Sequence, residues 1–281
     1  MTSVVAIVNW NSGKRLRPCV ESLLTTATNA EILVVDNASE DESLVSVQGF
    51  RNRVSFIRNS ANRGFAAAIN QAFDATSSSY VLVLNPDIRV MPGALQLLEE
   101  FMETHPHAGA AGGYVNEKYP PRQFPTAGRL VRENLGFPPV PRTLQKKSDA
   151  IAVDQPAAAA LMIRRDAYDD IGGFDEQFFP AWYEDVDFCR RLKAKGWDIY
   201  FAPKAEFVHE GGYSAEALGS EKFVLAYYSN QARYATKHLG SVGSAAVRAS
   251  IAAGMIGRMI GRPKDAGAYA KALIAVFKGL S

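Results

Sequence analysis

The sequence predicts an α/β protein: a mixed, mainly parallel sheet flanked by helices, with a helical appendage at the C-terminal end. Three observations carry this. Short β-branched runs alternate with stretches of helical spacing through the first half of the chain. Several of those runs end in polar residues, as strands do when they deliver side chains to one rim. Beyond Ser214 the strand pattern stops, and helical pieces bearing Tyr, Lys and Arg follow.

The elements follow in order. "VVAIVNW" is a first strand, and "KRLRPCVESLLTTA" has helical spacing. "EILVVDNAS" is a second strand closed by turn and cap residues. "SEDESLVSVQGF" opens with Ser39 and acids, as a helix N-terminus does. "VSFIRN" is a third strand, "GFAAAINQAFDAT" an Ala-rich helix and "YVLVLNPD" a fourth strand. "MPGALQLLEEFMETHP" reads as another helix, with "GAAGGYV" as a strand after it. From about Glu117 to Gln155 Pro and Arg interrupt the pattern, which predicts a long, partly ordered loop able to cover a site. Regularity returns at "AAAALMIRRDAYDDIGGF". The expected division is 1–214 for the α/β domain and 215–281 for the helical, basic segment.

Composition bounds the rest. With 281 residues, 47% hydrophobic and 21% charged, the chain can bury a sizeable core. The formal net charge is only +2, so no polyanion partner such as nucleic acid is indicated. The charge is uneven: residues 215–281 carry nine Lys and Arg against three Asp and Glu. Cys19 and Cys189 form neither a disulfide framework nor a CxxC pair, so a reducing compartment is expected. The N-terminal apolar run lacks a basic flank and reads as a strand, not a signal peptide. No 18-residue apolar run predicts a membrane span.

The candidate chemistry sits at strand ends. Asn9, Asp36, Asn59 and Asp87 are expected along one rim. Asp36 can accept N–H groups of a pyrimidine base, or cap the next helix. Asn62, Arg63 and Gly64 precede a helix, where amides and a guanidinium suit a diphosphate, or form an ordinary loop-to-helix turn. Asp87 in "LNPD" is a ligand for Mg²⁺ or Mn²⁺, or a strand-ending turn residue. In "YEDVDFCRRLKAKGW" three acids crowd a helix start, which the helix dipole alone favours. Trp182 and Tyr183 beside them suit a sugar-binding wall, and a carboxylate there can take a proton from an attacking hydroxyl. His209 ends the strand "IYFAPKAEFVHEGG" and can complete a cation site with Asp87, or be an ordinary satisfied His.

In this order and spacing, "IVNWNS", "VVDNAS", "NRGFAAAIN", "LNPD", "GGFDEQFF", "YEDVDFCRRLKAKGW" and "FVHEGG" resemble family 2 glycosyltransferases of the GT-A (Rossmann-like) fold. The resemblance spans roughly residues 3 to 214 and is strongest to bacterial rhamnosyltransferase-like enzymes, which carry the same "NPD" where the family has an acidic DxD. It implies that Asp36 recognises the nucleotide base and that Asn85 and Asp87 hold the cation and donor diphosphate. It further implies His209 as the later metal ligand, Asp185 as general base, and Trp182 and Glu184 as acceptor contacts. Asn85 departs from the family pattern by one missing charge, and Ala157 and Ala158 stand where relatives often carry Gly and a small polar residue. The implied reaction is inverting transfer of a sugar, such as rhamnose from a dTDP- or UDP-linked donor, to a glycan or lipid-linked acceptor in cell-envelope polysaccharide synthesis. The implied setting is cytoplasmic.

Two roles stand for the basic tail: a packed appendage, or docking at the inner face of the plasma membrane. It can also mediate a homodimer. Two rival classes remain at this point. A sugar nucleotidyltransferase would want a Gly-rich basic loop after the first strand, which "NWNSGKR" matches only loosely. A non-catalytic nucleotide-sugar-binding protein on the same fold would not need Asp87, Asp185 and His209 together.

Overall fold

The computed structural model describes residues 3–27, 29–117, 119–137, 149–209, 218–261 and 265–278. The chain divides into two compact units. The first holds Met1–Gln123, Arg142–Glu176 and Glu184–Tyr213; the second holds Phe124–Pro141, Gln177–Tyr183 and Ser214–Ser281. The second unit therefore gathers two segments that lie before residue 214 in sequence.

In the first unit nine strands are described: β1 (Val4–Asn9), β2 (Glu31–Asp36), β3 (Val54–Arg58), β4 (Tyr80–Leu84), β5 (Ile88–Val90), β6 (Ala108–Tyr114), β7 (Ile151–Ala152), β8 (Ala160–Arg164) and β9 (Asp198–His209). They form one sheet of order β3-β2-β1-β4-β8-β6-β9-β5, with β7 on β9. β3, β2, β1 and β4 are parallel. β8 runs against both β4 and β6, and β6 is parallel to β9. The carboxyl ends of β1, β2, β4, β6 and β9 consequently share one rim. This is the mixed, mainly parallel sheet expected from the sequence.

Residue choice explains the layers. β1 and β4 are buried along their whole length, as strands covered on both faces are, so they read as unbroken apolar runs. Helix α1 (Leu16–Thr26) buries Leu16, Cys19, Val20 and Leu23, one stripe at helical spacing. The later helices α3 (Phe65–Asp74) and α4 (Ala94–Thr104) repeat the device. In β6 the glycines answer a close approach: a Cβ on Gly113 would lie 2.4 Å from the Phe207 ring.

The region after β2 differs from expectation. "SEDESLVSVQGF" forms only a four-residue helix, α2 (Ser43–Ser46), and a 3₁₀ turn at Gln48–Phe50. Ser39 does not cap it, because its amide and hydroxyl both donate to Asp36. Short polar side chains here prefer local partners over helix. The expected loop over 117–155 also contains structure. Thr126 caps helix α5 (Ala127–Asn134), accepting the Arg129 amide at 3.3 Å, and β7 follows. Residues 138–148 of that loop lie outside the described residues.

Helices α6 (Arg165–Ile171) and α7 (Glu184–Ala194) complete the first unit. α7 connects to the start of β9 through three residues, so its N-terminus points back toward the carboxyl rim.

The second unit is helical: α5 with α8 (Ser220–His238), α9 (Gly240–Gly261) and α10 (Ala266–Lys278). α9 packs against all three others. Asn134 Nδ2 donates to Ser250 Oγ at 3.0 Å, and the buried Arg248 guanidinium donates to the Val276 carbonyl and the Thr236 hydroxyl. Among the described residues no helix is long and apolar enough to cross a membrane.

Candidate active site

The rim begins with a knot of short polar side chains. Asn9 is fully buried, and its Nδ2 donates to Asp36 Oδ1 at 2.8 Å, Ser39 Oγ at 3.1 Å and Ser43 Oγ at 3.0 Å. Asp36 Oδ1 also accepts the Ser39 hydroxyl at 2.6 Å, while Oδ2 accepts the Ser39 amide at 3.1 Å. A carboxylate has about four acceptor sites; these donors take three, which leaves room for one N–H of a ligand. Two non-glycine residues with left-handed backbone, Asn11 (φ 50) and Ala38 (φ 59), flank the knot. Such conformations persist where surrounding contacts over-determine them.

Asn37, the residue after Asp36, links the knot to the next loop. Its Nδ2 donates to the Gly64 carbonyl at 3.1 Å, and its Oδ1 accepts Asn59 Nδ2 at 2.9 Å. Gly64 has φ 86, which needs glycine, and its amide donates to Asn62 Oδ1 at 2.8 Å. The Arg63 side chain is half exposed and forms a loose ion pair with Glu176 at 4.0 Å. Asn70 on α3 holds the other side of that acid: Nδ2 donates to the Phe174 carbonyl and to Glu176 Oε1, each at 3.0 Å.

Asp87 sits in a turn at the end of β4. Ile88 donates its amide to the Asn85 carbonyl at 3.2 Å, so "NPDI" is a turn, and the turn aims a carboxylate inward. The Asn85 amide donates to the Ala159 carbonyl at 3.0 Å, and the Cys19 thiol lies under the Asn85 carbonyl at 3.7 Å. Burial, then the Asp87 charge, push that thiol's pKa up, which keeps it neutral. β5 leaves the turn and pairs antiparallel with β9, placing Ile88 opposite His209. Asp87 Oδ2 and His209 Nε2 are 3.0 Å apart, with side chains 4% and 8% exposed. Among the described residues, Asp87 Oδ1 and His209 Nδ1 are buried without a hydrogen-bond partner. Buried polar atoms normally find partners. A buried carboxylate with one unpartnered oxygen, beside an imidazole, is an O and N donor set that suits a divalent cation whose remaining positions phosphate oxygens and water would take. Among the described residues no group of three or more metal-ligating side chains forms there or elsewhere.

The three acids at the start of α7 separate by environment. Asp187 is fully buried and pairs with Arg191 at 2.7 Å, whose guanidinium also donates to the Ile171 carbonyl. That acid pins α7 to α6. Glu184 is 5% exposed, and its Oε2 has no partner among the described residues. Burial, and then the Asp185 charge, push its pKa well above the usual carboxylate range. Asp185 is half-buried. Burial raises its pKa too, while the Val186 amide and the Arg122 charge pull it back. Of two adjacent carboxyls, Glu184 therefore keeps the proton more readily and Asp185 is the better anion.

Trp182 and Tyr183 belong to the second unit. Both have left-handed backbone (φ 74 and 73), a strained state for aromatic residues. The Trp182 ring meets Phe223 edge-on at 4.8 Å, and the Tyr183 hydroxyl accepts Gln231 Nε2 at 2.9 Å. Sequence reasoning missed Asn37 and Arg122. Asn37 is visible only as a second polar residue behind Asp36. Arg122 is one of several Arg in the Pro-rich stretch.

Residues 4–172 match the description "Glycosyl transferase family 2", and residues 156–248 match "Glycosyl transferase family group 2". The N-acetylglucosaminyl-diphospho-decaprenol L-rhamnosyltransferase of Mycobacterium tuberculosis is 29% identical over 268 residues, covering 85% of this chain and 87% of that protein. Rhamnosyltransferase WbbL of Escherichia coli is 23% identical over 58% of this chain and 64% of its own length. Among solved structures, S. aureus TarS 1-349 in complex with UDP-GlcNAc superposes with TM-score 0.62 at 16% identity over 100% of this chain and 82% of that one. The mannosyltransferase PcManGT of Pyrobaculum calidifontis, in complex with GDP-Man and Mn²⁺, gives 0.60 at 13% over 98% and 85%. These likenesses establish the GT-A fold, and of the classes left open by the sequence the family match selects the glycosyltransferase. The chain belongs to glycosyl transferase family 2.

Proposed function

We propose that this glycosyltransferase inverts: it moves a sugar from a nucleotide-diphosphate donor to a hydroxyl of a lipid-linked glycan acceptor. The first donor to test is dTDP-rhamnose. The observation that carries the reading is the buried Asp87–His209 pair with an unpartnered carboxylate oxygen, on the rim that also bears Asp36. The acceptor and sugar rest on the printed activity of the mycobacterial relative.

The residues divide the work as follows. Asp36, held by Asn9, accepts an N–H of the base. Asn85, Arg63 and the Asn62–Gly64 turn face the diphosphate. Asp87 and His209 would hold Mg²⁺ or Mn²⁺. The bound ion would offset charge on the leaving diphosphate. Asn85 supplies no charge, so Asp87 would be the one carboxylate beside the ion. Asp185 takes the acceptor hydroxyl proton as the oxygen bonds to the anomeric carbon and the carbon–phosphate-oxygen bond breaks on the opposite face. The nucleoside diphosphate leaves, and the anomeric configuration inverts. Trp182 and Glu184 contact the acceptor. Glu184, neutral by burial, can donate a hydrogen bond where Asp185 accepts one. The α/β part through residue 214 carries this chemistry, and the segment from 215 carries contact with the membrane surface or a second copy. A lipid-linked acceptor is compatible with action at the cytoplasmic face, where we place the reaction.

The test is a transfer and hydrolysis assay with dTDP- and UDP-sugars, a GlcNAc-diphospho-lipid acceptor, and either cation. Consumption of one donor with an inverted product linkage is expected. No donor consumed under any combination would overturn the catalytic reading.

A further inference from the structure

Within the second unit, helix α8 holds the short segment that carries Trp182 and Tyr183 from one end to the other. At the start of that segment Arg233 donates to Gln177 Oε1 at 2.6 Å, and Lys237 Nζ lies 5.7 Å from the centroid of the Phe178 ring. In the middle Asn230 Nδ2 donates to two backbone carbonyls, Phe179 at 3.2 Å and Ala181 at 2.9 Å. At the end the Trp182 ring meets Phe223 edge-on, and Gln231 Nε2 donates to the Tyr183 hydroxyl. Two of these partners are out of character for a packed helix. Asn230 is 2% exposed and Gln231 1%. Amide side chains are mostly found at the surface, because burying them is costly unless their polar atoms are bonded. Gln231 Oε1 is buried with no hydrogen-bond partner among the described residues, so that cost is not fully met. Leu or Met at these positions would pack without it. What the amides add is direction, since a donor fixes where a carbonyl or hydroxyl points and an apolar contact does not. Direction is what this segment needs. The left-handed backbone of Trp182 and Tyr183 persists only where neighbouring contacts over-determine it, and the two amides bind immediately before and after the Trp182 ring.

We propose that Asn230 and Gln231 are positioning residues for the acceptor. They fix the backbone of residues 181–183 and so hold the Trp182 ring in the orientation that receives an apolar sugar face. The inference rests on the reading of Trp182 as an acceptor contact, and it carries that reading into the helical unit, whose longer helices thereby shape acceptor binding. A ring that turns with a relaxed backbone offers its edge where its face is needed, and an acceptor sugar loses its stacking surface. The residues assigned to the nucleotide and the cation, Asp36, Asp87 and His209, belong to the other unit and make none of these contacts.

The test uses the full chain with N230A and with Q231M, the second of which removes the donor and keeps the side chain's length. Each is titrated calorimetrically with a short-chain GlcNAc-diphospho-lipid and, separately, with UDP or dTDP. Transfer kinetics and a thermal melt accompany both titrations. Each variant should lose about 10²-fold in kcat/KM for the acceptor. The loss should lie mainly in KM and in acceptor affinity, with nucleotide affinity at the parent value. A variant that melts lower but keeps the parent's acceptor affinity and KM overturns the proposal, because that is what amides serving stability alone would give. So does an equal loss of acceptor and nucleotide affinity. Should N230A fail to fold, Q231M decides by the same measurements. Parent-like acceptor binding by W182A overturns the acceptor role of Trp182 and this inference with it, while leaving the transfer reaction in place. A parent that binds the acceptor but consumes no donor counts against the catalytic reading alone, and the acceptor titrations still decide the inference.

Discussion

Replacing Asp87 by Asn should make the ligand-free protein more stable and the ligand-bound protein less so. Asp87 is 5% exposed, and its Oδ1 is buried without a partner among the described residues. An unpaired buried acceptor costs about 1–3 kcal/mol, and more when charged. A neutral amide is cheaper to bury than a carboxylate, and its oxygen can still accept from His209 Nε2. The exchange should return about 1–2 kcal/mol, which for a chain of this size is a rise of about 2–4 °C in Tm. With Mn²⁺ and dTDP or UDP present the order should reverse. A ligand at a hundred times its Kd adds about 2.7 kcal/mol to the folded state. The parent should gain that, about 5 °C on the same scale, and the variant should lose most of it. Scanning calorimetry with and without Mn²⁺ plus nucleotide reads both effects on one sample pair. The reasoning is refuted by a variant that melts lower than the parent when ligand-free and still shows the parent's full ligand-induced rise.

Asp185→Asn should cut transfer by about 10²–10⁴-fold, the usual contribution of a general base, while nucleotide binding by titration calorimetry is retained; full turnover would sink the base assignment. Because burial raises the Asp185 pKa and the base must be ionised, kcat/KM should climb with pH through a midpoint above the ordinary carboxylate range. Arg122→Leu should move that limb to still higher pH, and an unmoved limb counts against the coupling. Glu184 is raised by burial, so the folded state keeps a proton that the unfolded chain releases near pH 4. Its contribution to stability is fully present below that unfolded value and lost as pH rises through the folded one. Glu184→Gln should therefore melt above the parent by a margin that widens from acid to neutral pH; a constant margin contradicts this. Gly113→Ala puts a Cβ 2.4 Å from Phe207 and 2.5 Å from the Ala205 carbonyl. Overpacking of this kind costs about 1–3 kcal/mol, and Phe207 sits two residues from His209, so Tm and the Mn²⁺ response should fall together. A parent-like melt would show that β9 yields freely.

What was legible in the sequence follows from what each signal depends on. β1, β2 and β4 were readable because a strand covered on both faces must be apolar throughout, and that is a local property. Asp36 and Asp87 stood out because a carboxylate closing such a strand has no core role. β5 was not readable, since three residues give no period to detect. α5 was hidden because its buried set is only Leu130 and Asn134, in a stretch punctuated by proline. The use of Ser39 was misread for a different reason. Helix cap and carboxylate partner are both good roles for a serine, and only the position of Asp36 and Asn9 beside it decides between them. Likewise the run Glu184, Asp185, Asp187 looked like three equivalent acids. Arg191 one turn on takes Asp187 out of the set, and burial divides the other two.

β9 has one partner at its start and another at its end. It runs beside β6, breaks register near Gly113 and Tyr114, and finishes against β5 with His209 opposite Ile88. Side chains alternate along it: Phe207 is buried, Val208 is 38% exposed, and His209 turns inward again. Adding one residue between Ala202 and Phe207 would turn His209 outward and present Val208 to Asp87, and removing one would turn His209 outward as well. In evolutionary terms this strand is length-locked: descendants are free to change its letters, but an odd insertion or deletion would separate His209 from Asp87 at a stroke.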